Sequence, residues 1–292
     1  MTSAPPPPIL PAAGPLLARY DAVFCDVWGV VHNGRQAHAE AGAALARFRA
    51  GGGTVVLVSN APVPADGVER VLERTQVRRD AWDAIVSSGD IALAHIAAQG
   101  YRRLHRVGPA RRDSRLFQRL PGAPAALEEA DAIVCTGLAD EANEEVESYR
   151  PLIEAGVGRA LPFVCANPDL VVDVGGKRYL CAGSIAAEYE RRGGPVFWAG
   201  KPHPSAFASA LKRATDLRGA EPPPHRILAI GDALRTDLAA AQGMGVDALF
   251  IASGIHNGEV MVDGMIDAAR LAALFAPNGT PPAVAAMTEL RW

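Results

Sequence analysis

Short apolar runs alternate with amphipathic segments along the first hundred residues. AVFCDV (22–27) is an apolar run that ends on a polar group, with Gly29 two positions beyond it. EAGAALARFRAGG (40–52) sets apolar residues at helical spacing and closes on glycines, a helix stop. TVVLVSNAP (54–62) is a second apolar run, β-branched at first and ending in Ser59, Asn60 and Pro62. GVERVLERTQV (67–77) predicts a further helix, AIVSSGD (84–90) a third strand, and IALAHIAAQG (91–100) the helix that follows it. Strand–helix alternation of this kind predicts a parallel sheet with crossover helices.

The pattern returns toward the C-terminus. GPVFWAGKP (194–202) reads as strand and turn, SAFASALKRATDL (205–217) as helix, and RILAIGDALRTD (226–237) as a strand entering an acidic loop. LAAAQGMG (238–245) is a helix ended by glycine, and DALFIASG (247–254) is a last strong strand. Between about 101 and 182 the texture changes. RLHRVGP, DAIVCTGL (131–138), the helical NEEVESYRPLIEAG (143–156) and RALPFVCANPD (159–169) form an alternating set of their own. The expected fold class is therefore α/β, with a second α/β unit (101–182) inserted into a first one built from 20–100 and 183–292. The proline-rich MTSAPPPPILPAAGP opening a 1–19 arm is expected to be disordered or loosely docked, outside that fold.

Composition narrows the functional classes. The chain has 292 residues, 49% hydrophobic and 21% charged, enough for a large core. A net charge of -3 favours neither nucleic acid nor an anionic membrane. The basic run YRRLHRVGPARR (101–112) has no nucleic-acid motif beside it and reads as solvated surface. Cys25, Cys135, Cys165 and Cys181 are scattered, which suggests buried free thiols in a reducing cytosol. No signal-like segment is evident and no apolar run reaches about 18 residues, so a cytoplasmic protein without a membrane span is expected.

The candidate chemistry lies where the apolar runs end. Open parallel sheets bind ligands outside the carboxyl ends of their strands, and Asp26, Ser59, Lys201 and Asp232 all fall just past such ends. GGPVFWAGKP fails as a phosphate loop, because Pro195 stands where the first glycine belongs and Pro202 follows the lysine. No dinucleotide-binding fingerprint, zinc-protease motif or nucleophile elbow is present. Asp26 and Asp232 are hard oxygen ligands suited to Mg²⁺. Lys201 offers a compact positive charge, and Ser59 and Asn60 offer donors for phosphate oxygens. Asp26 is either a metal ligand alone or also a nucleophile. Taken singly, these groups carry little weight, because an Asp after a strand is most often a turn former or helix cap.

Together they resemble one family. FCDVWGVVHNG is similar to the first motif of the haloacid dehalogenase (HAD) superfamily, usually D-x-D-G-T/V. VLVSN resembles its second motif, GKP its third, and IGDALRTDLAAAQGMG its fourth. ANPDLVV and CAGSIAAEYE resemble the cap and cap-to-core return of the class IIA group, which includes NagD-like and p-nitrophenyl phosphatase-like proteins. The resemblance covers nearly the whole chain after residue 20. It implies a Rossmann-like three-layer α/β/α core with an inserted α/β cap, and a Mg²⁺-dependent phosphohydrolase acting on a small phosphorylated metabolite.

The resemblance also implies roles. Asp26 would be the nucleophile and a Mg²⁺ ligand, Trp28 would give its main-chain carbonyl to the metal, and Asp232 would complete the metal shell with Asp237 behind it. Ser59 and Asn60 would hold the phosphoryl group, and Lys201 would neutralise charge between Asp26 and phosphate. Asn167 and Asp169 would face substrate from the cap, or form a capped turn. Caps of this group often pair, so a homodimer is expected. Two positions depart from the pattern. Ala233 stands where NagD commonly has Asn, and Trp28 stands where family phosphatases carry the aspartate that moves the proton. An indole N–H has no useful acidity and accepts no proton. His32 is a candidate substitute for that acid. A phosphometabolite-binding or regulatory protein with little turnover is the alternative, and a flavodoxin-like domain with coincidental carboxylates is a third reading.

Overall fold

The computed structural model describes residues 5–174 and 177–292. In chain order the strands begin with β1 (Ala22–Cys25), β2 (Thr54–Ser59) and β3 (Ala84–Ser87). A middle group follows: β4 (Arg103–Val107), β5 (Ala123–Pro124), β6 (Ala132–Cys135), β7 (Phe163–Cys165), β8 (Val171–Val174), β9 (Lys177–Leu180) and β10 (Val196–Trp198). The last are β11 (Ile227–Gly231), β12 (Asp247–Ile251), β13 (Met261–Val262), β14 (Met265–Ile266) and β15 (Ala285–Met287). Contacts divide the chain into two compact units. One comprises Met1–Ser59, Glu69–Val86 and Ala206–Trp292, the other Asn60–Val68 and Ser87–Ser205.

The first unit is a Rossmann-like α/β fold around a six-stranded sheet of order β15-β12-β11-β1-β2-β3. The β1–β2, β1–β11, β11–β12 and β12–β15 pairs are parallel. All residues of β1, β2 and β11 are buried, which is why these strands read as unbroken apolar runs rather than alternating ones. The helix Ala39–Ala50 stops at Gly51 as its glycines predict. Phe24 of β1 meets Phe207 edge-on, ring centroids 5.4 Å apart. Phe24→Ala is expected to cost about 3–5 kcal/mol, read as a lowered midpoint in denaturant unfolding.

Two features of this unit differ from expectation. DALFIASG carries β12 as expected, and a short strand that was not anticipated, Ala285–Met287, adds at the sheet edge beside it. The N-terminal arm is tied down from Pro8 onward. Leu10 N–H donates to Ala286 O at 2.9 Å, and Ala286 N–H donates to Pro8 O at 2.9 Å. Farther along, Leu16 and Leu17 are buried. The Trp292 indole packs over Gly14, where a Cβ would stand 3.0 Å from Nε1. Residues 1–4 of the arm lie outside the described residues.

The second unit carries its own five-stranded sheet, order β10-β7-β6-β4-β5, with every pair parallel. It is wider than the 101–182 read from the sequence. Val196–Trp198 was expected in the first sheet, yet it pairs with Phe163–Cys165. The helix Ser88–Gln99 also begins inside this unit. Its N-cap is Ser87, whose Oγ accepts from Asp90 N–H at 3.1 Å, and it ends at Gly100 with φ +71°. The predicted helix over 143–156 starts late, as a 3₁₀ turn at Val146–Tyr149 followed by the helix Arg150–Gly158. Pro151 sits in the first turn of that helix, where its missing N–H costs nothing.

The four cysteines are buried and form no disulfide. Burial pushes the Cys135 and Cys181 thiols up to about 12 and raises Cys165 as well, so these three stay protonated and unreactive in the folded protein. No described helix is long and apolar enough to cross a membrane.

Candidate active site

β1 and β11 run side by side, and each delivers an acid just past its end. Asp26 N–H continues the pairing by donating to Ile230 O at 2.8 Å, which holds the Asp26 main chain at the carboxyl edge of the sheet. Asp232 follows Gly231, the last residue of β11. Asp237 returns to the same place from the turn of π-helix at Leu234–Leu238, and its Oδ2 accepts from Ala233 N–H at 3.2 Å. Among the described residues, Asp26, Asp232 and Asp237 each offer an oxygen within 4.8 Å of the others. Asp232 and Asp237 are buried, while Asp26 is half-buried.

Main chain closes in on Asp232 from two sides. Gly29, at φ +86°, and Gly254 both lie so near that a Cβ on either would overlap the Asp232 carboxylate. Ile255 N–H donates to Asp232 Oδ2 at 2.7 Å. The Gly254–Ile255 approach went unnoticed in the sequence, where ASG after the β12 run was the available signal. These donors fit a small hard cation. One Mg²⁺ holds oxygens at about 2.0–2.1 Å and keeps several waters, so two oxygens on one ion lie at most about 4.2 Å apart. Oxygens on adjacent positions of such an ion lie about 3 Å apart, so the carboxylates that hold it would draw together around it.

The loop after Asp26 is packed apart from one side chain. Val27, Val30, Val31 and His32 are buried, whereas Trp28 is 37% exposed. The indole lies over Gly34, whose φ is +83° and which has no room for a Cβ beneath the ring. His32 meets it edge-on with centroids 5.3 Å apart. His32 Nδ1 accepts from Gly34 N–H at 2.9 Å, which puts the ring hydrogen on Nε2. Burial first, then the charges of His38 and Arg74, lower its pKa to about 4. His32 is thus neutral near pH 7, without the imidazolium charge that would make it a ready acid.

Ser59 is the last residue of β2 and is buried. The other expected phosphate and cap residues belong to the second unit. Lys201 is 2% exposed in the turn after β10. The Asn60 amide donates to Lys201 O at 3.0 Å and accepts from Lys201 N–H at 2.8 Å. It also donates to Asp169 Oδ1 at 2.9 Å. Asn167 Oδ1 accepts from Asp169 N–H at 3.2 Å, so Asn167 forms the capped turn weighed in the sequence.

Sequence relationships add the family. Residues 23–119 match the model for haloacid dehalogenase-like hydrolases, and residues 198–275 match one described as HAD-hydrolase-like. A hydrolase of the haloacid dehalogenase-like family from Brucella suis 1330 is 40% identical, with 96% of this chain and 100% of that one covered at a TM-score of 0.83. The chain belongs to the haloacid dehalogenase-like hydrolase family.

More distant HAD proteins share the fold. Glycerol phosphate phosphatase from Mycobacterium tuberculosis, solved with magnesium, matches at 21% identity over 89% of this chain and 80% of that one, TM-score 0.62. NagD from E. coli K-12 matches at 19% identity over 92% and 96%, TM-score 0.63. No curated protein sequence matches the chain. The fold of these two phosphatase-family structures spans nearly the whole chain, in keeping with the NagD-like class IIA resemblance carried by ANPDLVV and CAGSIAAEYE.

Proposed function

We propose that this HAD hydrolase is a phosphatase of small phosphorylated metabolites that works through a phospho-aspartate on Asp26 and requires Mg²⁺. The observation that carries the reading is the gathering of Asp26, Asp232 and Asp237 at the carboxyl ends of β1 and β11 in a chain of this family. Asp26, Asp232 and the Trp28 main-chain carbonyl would hold the cation, with Asp237 steadying Asp232. When bound, Mg²⁺ offsets the negative charge that otherwise repels a carboxylate from a phosphoryl group.

The residues then divide the work. An Asp26 oxygen attacks phosphorus as the bond from phosphorus to the ester oxygen breaks. Water next opens the acyl phosphate, which regenerates Asp26 and releases inorganic phosphate. Ser59 donates to the phosphoryl oxygens, and Lys201 supplies positive charge toward them. The second unit takes the substrate-selecting role of a class IIA cap, the role we assign it here. Positioning and electrostatics provide most of the catalysis in such transfers.

What is missing is the proton for the leaving oxygen. Trp28 has none to give, and His32 is held neutral with its pKa near 4. We assign the enzyme substrates whose leaving group departs as a stable anion, such as aryl or acyl phosphates. A series of substituted phenyl phosphates with Mg²⁺ tests this. The rate is expected to rise steeply as leaving-group pKa falls and to vanish with a chelator. A rate independent of leaving-group pKa would mean that an acid is at work after all.

The alternative is a phosphometabolite-binding protein with little turnover, and the Trp28 replacement is the feature that favours it. Such a protein would be stabilised against heat by phosphorylated ligands and would release no phosphate from any of them.

A further inference from the structure

We propose that Asn60 is a positioning residue that sets the main chain of Lys201, an inference that rests on the phosphatase reading above. A carboxamide has two N–H donors and one oxygen with two lone pairs. All of that capacity is engaged here. Nδ2 donates to Lys201 O at 3.0 Å and to Asp169 Oδ1 at 2.9 Å. Oδ1 accepts from Lys201 N–H at 2.8 Å and, at the outer limit of 3.5 Å, from Ser88 Oγ.

The two bonds to Lys201 grip the N–H and C=O of a single residue. They restrain its φ and ψ together, and with them the direction in which its side chain leaves the backbone. Neighbouring glycines mark how tightly the segments meet. Gly200 has φ +139°, and a Cβ there would stand 2.6 Å from Asn60 Oδ1 and 2.9 Å from Pro168 Cγ. A Cβ on Gly183 would stand 2.5 Å from Asp169 O. The residues after β2, the start of the helix Ser88–Gln99, the 167–169 turn and the Gly200–Lys201 turn all converge on one amide within the second unit.

This use leaves the Asn60 side chain no donor for a phosphate oxygen, in place of the direct contact implied by the resemblance. An aspartate of the same shape would set a carboxylate against Lys201 O and Asp169. Alanine would release the lysine turn. In either case the lysine remains present but is misplaced, and errors of about 1 Å at a catalytic group cost on the order of 10²-fold in rate.

The test is a double-mutant cycle on p-nitrophenyl phosphate with Mg²⁺, with thermal unfolding as the folding control. Asn60→Ala is expected to lower kcat about 10- to 100-fold with KM changed less than about threefold. In a Lys201→Ala background the same change is expected to cost less than about threefold, because the group it positions is already gone. Asn60→Asp is expected to be at least as slow as Asn60→Ala, and it carries the cycle if the alanine variant folds poorly. Equal losses in both backgrounds would overturn the proposal in favour of direct phosphate contact, as would wild-type kcat in the Asn60 variants. Should the wild type show no Mg²⁺-dependent turnover, the phosphatase reading fails by itself. Amide exchange of the peptide spanning 199–203 then decides this point. Faster exchange in Asn60→Ala supports the bracket, and unchanged exchange overturns it.

Discussion

Trp28→Asp is expected to raise kcat on alkyl phosphates by about 10²–10⁴-fold, while aryl phosphates gain less than about tenfold. The argument runs from proton balance. An alkoxide is a poor leaving group unless it is protonated as it departs, and general acid help of that kind is worth about 3–5 kcal/mol of barrier. The position two residues after Asp26 holds an indole, and the His32 imidazole against it accepts a hydrogen bond at Nδ1 from Gly34 N–H. A carboxyl at residue 28 would restore a group able to give the proton and later take one from water. Trp28 is partly exposed, so its replacement leaves the core of the unit intact. Alkyl phosphate rates that stay unchanged in a folded Trp28→Asp protein would show that proton transfer is not what this site lacks.

Asp26→Asn is expected to lower phosphate release on every substrate by about 10³-fold or more, since removal of a nucleophile leaves only binding and electrostatic effects. The change keeps the shape of the side chain, and the main-chain bond from residue 26 to Ile230 O does not depend on it. The variant should therefore fold and still bind phosphorylated ligands. Turnover within about tenfold of wild type would reduce Asp26 to a metal ligand, the narrower role open in the sequence.

The first sheet was legible because each of its central strands is a short apolar run bounded by turn residues. Ala285–Met287 escaped notice because three residues without β-branching carry little strand signal; their burial beside β12 makes them a strand. GPVFWAGKP was read correctly as strand and turn but placed in the wrong sheet. A local pattern reports that a strand forms and says nothing of which neighbour it pairs with. The start of the helix at Ser88 was obscured by SSGD, which reads as a turn until Ser87 is seen capping Asp90 N–H.

Asp26 and Asp232 were visible from position, since strand ends in a parallel sheet are where ligands go, whereas Asp237 entered only through the resemblance. Gly29, Gly254 and the Ile255 N–H were not visible, because a main chain closing on a carboxylate leaves no side-chain signature. Asn60 was visible as a polar group after a strand, yet its partners at 169 and 201 are more than a hundred residues away in the chain. The resemblance implies a phosphate contact there, whereas the hydrogen bonds to Lys201 are the basis for proposing a brace.

Beryllium fluoride binding, followed by ¹⁹F NMR, tests the central claim most directly, because this ion mimics a phosphoryl group bound to a carboxylate. Wild-type protein is predicted to form a slowly exchanging adduct only when Mg²⁺ is present, and Asp26→Asn is predicted to form none. An adduct that forms equally well in Asp26→Asn, or in the absence of Mg²⁺, would contradict a phospho-aspartate on Asp26.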